Sequence, residues 1–145
     1  MVKNIKFLIS VISLMIFSSV MLMAEDMPIQ ANQLPKPAQT FISSNFANDQ
    51  VVYAEQDRNS FKVELQSGVE IDFDRSGNWT DVTSERTPLP TGFMPQAVVK
   101  SVQAKYPQVP ILEISKEYSG YKLKLGNNRE VYLDNNGKIT GDKLD

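Results

Sequence analysis

An alternation of apolar and polar residues is the plainest feature of the chain. Across residues 60–66, Phe61, Val63 and Leu65 fall on one side, and Val69, Ile71 and Phe73 repeat the pattern a few residues later. A period of two puts alternate side chains on one face, so both stretches predict half-buried strands. Residues on one face must pair with residues on the same face. That register sets Leu65 opposite Val69, Val63 opposite Ile71 and Phe61 opposite Phe73, and leaves Gln66, Ser67 and Gly68 as a hairpin loop. Three-residue loops favour a left-handed last position, which glycine adopts cheaply. The same reasoning makes Arg75, Ser76 and Gly77 the next loop and sets Phe73 against Trp79. A further strand over 51–56 comes first. Ahead of it, Leu34, Ala38, Phe41, Ile42 and Phe46 recur near helical spacing, with Pro35 and Pro37 in the first turn, where a missing N–H costs little.

The pattern returns sixty residues on. Pro35 falls on Pro95, Lys62 on Lys122, Leu65 on Leu125, Glu70 on Glu130, Asp74 on Asp134 and Gly77 on Gly137. Conservative matches fill the spaces, among them Ile42 with Val102, Phe46 with Tyr106, and Phe61 with Tyr121. The second copy has a helix through Met94, Ala97, Val98, Val102 and Tyr106, closed by Pro107. A strand over 111–116 follows, then loops at 126–128 and 135–137, with Asn128 in the left-handed position and Leu133 against Ile139. Self-similarity at a fixed offset is the signature of a repeated unit. The expected fold class is therefore α+β: two tandem helix-plus-antiparallel-meander repeats, residues 34–82 and 94–145, forming one continuous sheet with helices on one face. Residues 83–93, with Pro88 and Pro90, form the linker. One unit alone would bury little core, so the two are expected to fold together.

Residues 1–24 change the picture. Lys3 and Lys6 precede an apolar run from Phe7 to Met23, and Ala24 stands before Glu25 and Asp26. This reads as a cleaved signal peptide, with an uncleaved membrane anchor as the rival. Either way the rest of the chain is exported, to the periplasm. Residues 25–33 read as a flexible lead-in. The net charge of −2 shows no basic patch, so nucleic acid is not expected as a partner, nor a membrane after cleavage. Neither histidine nor cysteine occurs in the 145 residues, which excludes disulfides, His- or Cys-dependent catalytic sets and His- or Cys-ligated metals.

The ordered series Leu34-Pro35, Phe41-Ile42, Phe46, Phe61-Lys62-Val63-Glu64-Leu65, Gly68 through Asp74 and Gly77-Asn78-Trp79 resembles the PepSY-like proteins of bacterial periplasms. Those are grouped with the β-lactamase inhibitory protein fold. The second copy continues the likeness through Met94-Pro95, Tyr106-Pro107, Gly120-Tyr121, Leu133-Asp134 and Gly137. The resemblance implies a tandem helix-plus-sheet fold and a binding role. Related PepSY domains restrain proteases, and the inhibitory protein grips its enzyme with its open sheet face and loops. That inhibitor is disulfide-bonded, whereas this chain has no cysteine.

The expected function is that of an exported, non-catalytic protein-binding module, an inhibitor or regulator of another exported protein such as a protease. Tyr53, Lys62, Glu64, Asp72, Lys122, Lys124 and Tyr132 lie on or near the outward sheet face and are the candidate partner-binding residues. Expected cross-strand pairs there include Lys62 with Asp72 and Lys124 with Glu130. Glu64, Glu70 and Asp72 on a flat face lack the burial that tuned carboxylate catalysis needs. The alternative is a calcium-responsive binding protein using the 72–77 turn, with Asp72, Asp74 and Ser76 as ligands in the spacing of a half calcium loop. The twelfth loop position is Thr83, which cannot chelate in the manner of glutamate. A hairpin turn needs the same short polar residues and glycine. Trp79 is expected in the core beside Phe73 rather than exposed as an anchor.

Overall fold

The structure is a computed structural model that describes residues 26–145; the expected signal segment lies outside them. The chain is α+β. The described residues form one nine-stranded antiparallel sheet in which every strand neighbours the next in sequence, together with two α-helices. The elements are β1 (Met27–Pro28), α1 (Lys36–Asn45), β2 (Val51–Gln56), β3 (Ser60–Leu65), β4 (Val69–Asp74) and β5 (Trp79–Ser84). Then come α2 (Gln96–Lys105), β6 (Ile111–Glu117), β7 (Gly120–Leu125), β8 (Arg129–Asp134) and β9 (Ile139–Leu144). The register is the one the alternation demands: Phe61 faces Phe73, Val63 faces Ile71, Phe73 faces Trp79 and Leu133 faces Ile139. Gly68 (φ 84°) and Asn128 (φ 58°) take the left-handed loop positions.

Pairings recur sixty residues apart, including their irregularities. Val51 faces Leu65 and Ile111 faces Leu125, and each pair is followed by a bulge at the next residue, Val52 or Leu112. Further bulges leave Thr80 and Thr140 without a partner. A bulge shifts the phase of every residue beyond it. Strict alternation from Trp79 would have turned Asp81 inward. The bulge at Thr80 instead buries Val82 completely and turns Asp81 outward.

Two segments differ from expectation. Residues 25–33, expected as a flexible lead-in, include β1, which pairs Met27 with Gln56 and Pro28 with Glu55. A 3-10 turn over Ala31–Gln33 follows, closed by the Gln30 N–H donating to Gln33 Oε1 at 2.7 Å. The physical reason is the free edge of β2, whose backbone groups are satisfied by a short covering strand. The linker expected over 83–93 begins later, because β5 continues through Ser84 to pair with β6. Those pairs are Asp81 with Ser115, Val82 with Ile114 and Thr83 with Glu113, and they join the two halves into one sheet.

One core runs through both halves. Ala38 and Ile42 of α1 and Val98 and Val102 of α2 are buried in it with the inward residues of the strands. At the join, Trp79 is 8% exposed. It stacks on Phe41 (centroids 5.9 Å apart) and Tyr121 (6.3 Å) and meets Phe93 edge-on at 5.0 Å. The expectation of a core Trp79 holds.

Each helix is pressed against a hairpin glycine. A Cβ on Gly77 (φ 86°) would lie 2.7 Å from Pro35 Cβ, and one on Gly137 (φ 84°) would lie 2.4 Å from the Ala97 carbonyl oxygen. Gly68 has the same left-handed backbone but open space around it. Gly68→Ala is expected to cost about 1–2 kcal/mol from backbone strain alone. Gly137→Ala should cost about 1–3 kcal/mol more, the range of an overpacked contact. Chemical denaturation of the two variants checks this; equal losses would show that α2 does not bear on the turn.

Candidate functional site

The pleat sends two rows of side chains outward across the sheet. One row runs Tyr53, Glu64, Glu70, Thr83, Glu113, Lys124, Glu130 and Lys143, each facing the next on the neighbouring strand. The other runs Glu55, Lys62, Asp72, Asp81, Ser115, Lys122, Tyr132 and Gly141. All seven residues expected at the partner-binding face are in these rows. Tyr53 reaches its place through the bulge at Val52. Sequence reasoning missed Glu55, Asp81, Glu113 and Lys143, because their facing depends on the bulges and on the β5–β6 join.

Charge divides the face. The first half carries Glu55, Glu64, Glu70, Asp72 and Asp81 around Lys62. The second half mixes Glu113, Lys122, Lys124, Glu130 and Lys143. Lys62 and Asp72 are cross-strand neighbours as expected, yet the Lys62 ammonium bonds Glu70 at 3.0 Å, along the diagonal. Lys124 likewise faces Glu130 but pairs with Asp145. Glu130 takes Lys143 instead, at 3.0 Å, and Lys122 pairs with Glu113 at 2.8 Å. Lys62, Lys122 and Lys124 reach past the residues they face while Lys143 pairs with the Glu130 opposite it, so register alone does not fix the ion pair. Such surface pairs add little stability.

The tyrosines are held in place by neighbouring carboxylates. Tyr53 donates to Glu55 at 2.7 Å and is 41% exposed. Tyr132 donates to Glu130 at 2.9 Å and has the Lys143 ammonium over its ring.

The 72–77 turn is organised around Asp74. Its Oδ1 accepts the backbone N–H of Ser76 and of Asn78, each at 2.9 Å, and its Oδ2 accepts the Asn78 side chain at 3.1 Å. These donors, Asn78 first, hold its carboxyl below the usual range. In the second half Asp134 Oδ1 likewise accepts the backbone N–H of Asn136 and of Lys138, each at 2.9 Å. Ser76 thus contributes its N–H to Asp74. Among the described residues, no group of three or more Asp or Glu side chains is arranged to hold a metal ion.

Asp72 is half-buried, and burial pushes its carboxyl above the usual range. Lys62 opposes that shift, while the facing Asp81 adds to it. A carboxyl whose folded pKa is raised costs stability once the pH exceeds its unfolded value, and costs nothing below it. Asp72→Asn should therefore raise Tm at pH 7 and leave it unchanged near pH 3. Thermal melts at the two pH values decide; a lower Tm at pH 7 would show that the ionised carboxylate is favourably held.

Two segments of the chain, residues 20–71 and 59–140, match the model of the family described as "Putative beta-lactamase-inhibitor-like, PepSY-like". Solved structures are similar over most of their length. A "putative calcium-regulated periplasmic protein" from Bacteroides thetaiotaomicron is 31% identical with TM-score 0.77, the match covering 81% of this chain and 96% of that one. A protein from Bacteroides vulgatus, described as periplasmic and of the DUF2874 family, is 32% identical with TM-score 0.76, covering 82% and 97%. A second Bacteroides vulgatus protein, described as periplasmic and of unknown function, is 28% identical with TM-score 0.76, covering 82% and 99%. No curated protein matches the chain. Among the described residues no helix is long and apolar enough to cross a membrane. The expected likeness is thus met by a family model that spans most of the chain and by solved relatives of the same fold: the chain belongs to the PepSY-like, beta-lactamase-inhibitor-like family.

Proposed function

We propose that this is an exported periplasmic protein that binds another exported protein through the outward face of its sheet, as a non-catalytic inhibitor or regulator of a target such as a protease. The two halves are copies of one unit, with both helices on the inner face, so that the outer face is left for a partner. One observation carries the reading: two unbroken rows of side chains cross the sheet, acidic in the first half and mixed in the second. Such a face offers electrostatic selectivity, and the two tyrosines offer anchoring area. Similarity to proteins described as periplasmic supports the location. The absence of histidine and cysteine from the sequence supports a role without Cys- or His-based chemistry.

Affinity capture from periplasmic extract tests this. The protein should retain a specific partner, and reversing the acidic half with Glu64→Lys and Asp81→Lys should weaken retention at least about tenfold, the scale of a close charge pair at an interface. Reversal that leaves retention unchanged would remove the outer face from the interaction.

Calcium-responsive binding is the second reading, with Asp72, Asp74 and Ser76 as ligands. Its support is the acidic half of the face and the description of the Bacteroides thetaiotaomicron relative as calcium-regulated. On this reading millimolar calcium should raise Tm above its value in chelator, and Asp74→Asn should abolish the rise. Identical melts with calcium and chelator would end it.

A further inference from the structure

The two halves differ at one corresponding place. In the second half, Leu89 lies at the start of β6, donating its N–H to the Ile111 carbonyl at 2.9 Å. Its side chain is 6% exposed and belongs to the core. Counting back sixty residues, the counterpart of Leu89 is Ile29 and that of Ile111 is Val51. Ile29 does not take the corresponding position. It donates to the Ala54 carbonyl at 2.9 Å, three residues further along β2, because β1 has paired with the far end of that strand.

Beside Val51 lies an open groove of about 470 Å³ with Leu34, Ile42, Phe46, Val51, Ala31 and Ala47 among its lining. The first four are the counterparts of Met94, Val102, Tyr106 and Ile111. Along the same stretch of β2, Val52 is 57% exposed and Tyr53 41%. The first half therefore presents a strand edge and an apolar hollow that the second half closes with its own linker.

We propose that this groove binds an extended peptide segment of a partner protein. The segment lies along β2 at Val51, donates an N–H to the Val51 carbonyl, and places a leucine-sized side chain in the hollow. The template for this mode is the linker of this same chain at Leu89, so occupant and pose come from a contact already made sixty residues away. Strand-edge recognition takes its affinity from backbone bonds and its specificity from pockets for single side chains. The proposal rests on reading the two halves as copies of one unit, and is independent of the outer face.

Titration of the protein, as it accumulates in the producing cell, with a synthetic octapeptide of the sequence 86–93 tests it by NMR. Resonances of Ile42, Val51 and Val52 should shift and approach saturation at millimolar peptide, since the tether that favours the internal contact is absent. A peptide with aspartate in place of leucine should bind at least tenfold more weakly, and Ala47→Trp, which fills the groove from an exposed position, should have the same effect. The Glu64→Lys variant should titrate like the parent protein, which separates this site from the outer face. No shift at millimolar peptide, or equal shifts with the aspartate peptide, would overturn the proposal. So would NOEs placing a second copy, or residues before 26, in the groove.

Discussion

The aromatic cluster on Trp79 is the contact on which the unity of the molecule depends. It draws Phe41 from α1, Phe93 from the linker and Tyr121 from β7 around one indole, with Phe73 of β4 edge-on to Phe41. The Lys116 ammonium, from β6, closes over the ring at 4.1 Å. Tyr121 and Lys116 come from the second half, and Phe41 and Phe73 from the first. Backbone pairing between β5 and β6 covers only three residue pairs. Large rings at favourable offsets supply the buried area that such a short ladder lacks. Neither half repeats this cluster: the counterparts of Phe41, Phe73 and Trp79 are Ser101, Leu133 and Ile139.

The same position in the two halves shows how a strand's place in the sheet selects its chemistry. Val82 on β5 is fully buried because β6 covers that strand. Its counterpart on the edge strand β9 is Asp142, opposite Val131. Asp142 accepts from Arg129 at 2.7 Å and from Tyr106, and pairs with Lys105 at 2.5 Å. Lys105 foremost, then Tyr106 and Arg129, hold its carboxyl well below the usual carboxylate range. The counterparts of these partners are Asn45, Phe46 and Val69. An inward charge on an edge strand discourages another strand from adding there. The opposite edge is covered by β1 along Glu55 and Gln56, which leaves the Val51 end open.

The sheet has one face in the core, one crossed by two rows of mostly polar and charged side chains, and an open corner beside Val51. The outward rows cross every join without a gap because the four bulges keep the two halves in phase. The groove beside Val51 exists because β1 pairs at the other end of β2. Both features arise from where strands start and stop, rather than from any single reactive side chain.

Much of this was legible in the sequence. Strict alternation fixed the β3–β4 and β7–β8 registers, since a slip by one residue would have exposed Phe61, Val63 and Leu65 together. Loop glycines and Asn128 marked turns that require left-handed backbone, and sixty-residue recurrence announced matching elements in both halves. Six of the seven candidate face residues followed from alternation in β3, β4 and β7 and the pairing of Tyr132 on β8, with Lys62 and Lys122 at matching positions; Tyr53 alone depended on a bulge. The bulges were not legible, because nothing in the apolar pattern marks Thr80 or Val52 as the one extra residue of its strand. The ion pairs were not legible either, because lysines choose among several carboxylates within reach. The sequence by itself determined local periodicity, turn chemistry and the excluded catalytic classes, all of which depend on near neighbours. Only the tertiary structure decided which strand ends are covered, how the halves join at Trp79 and where a groove is left open, because those depend on residues far apart in the chain meeting in space.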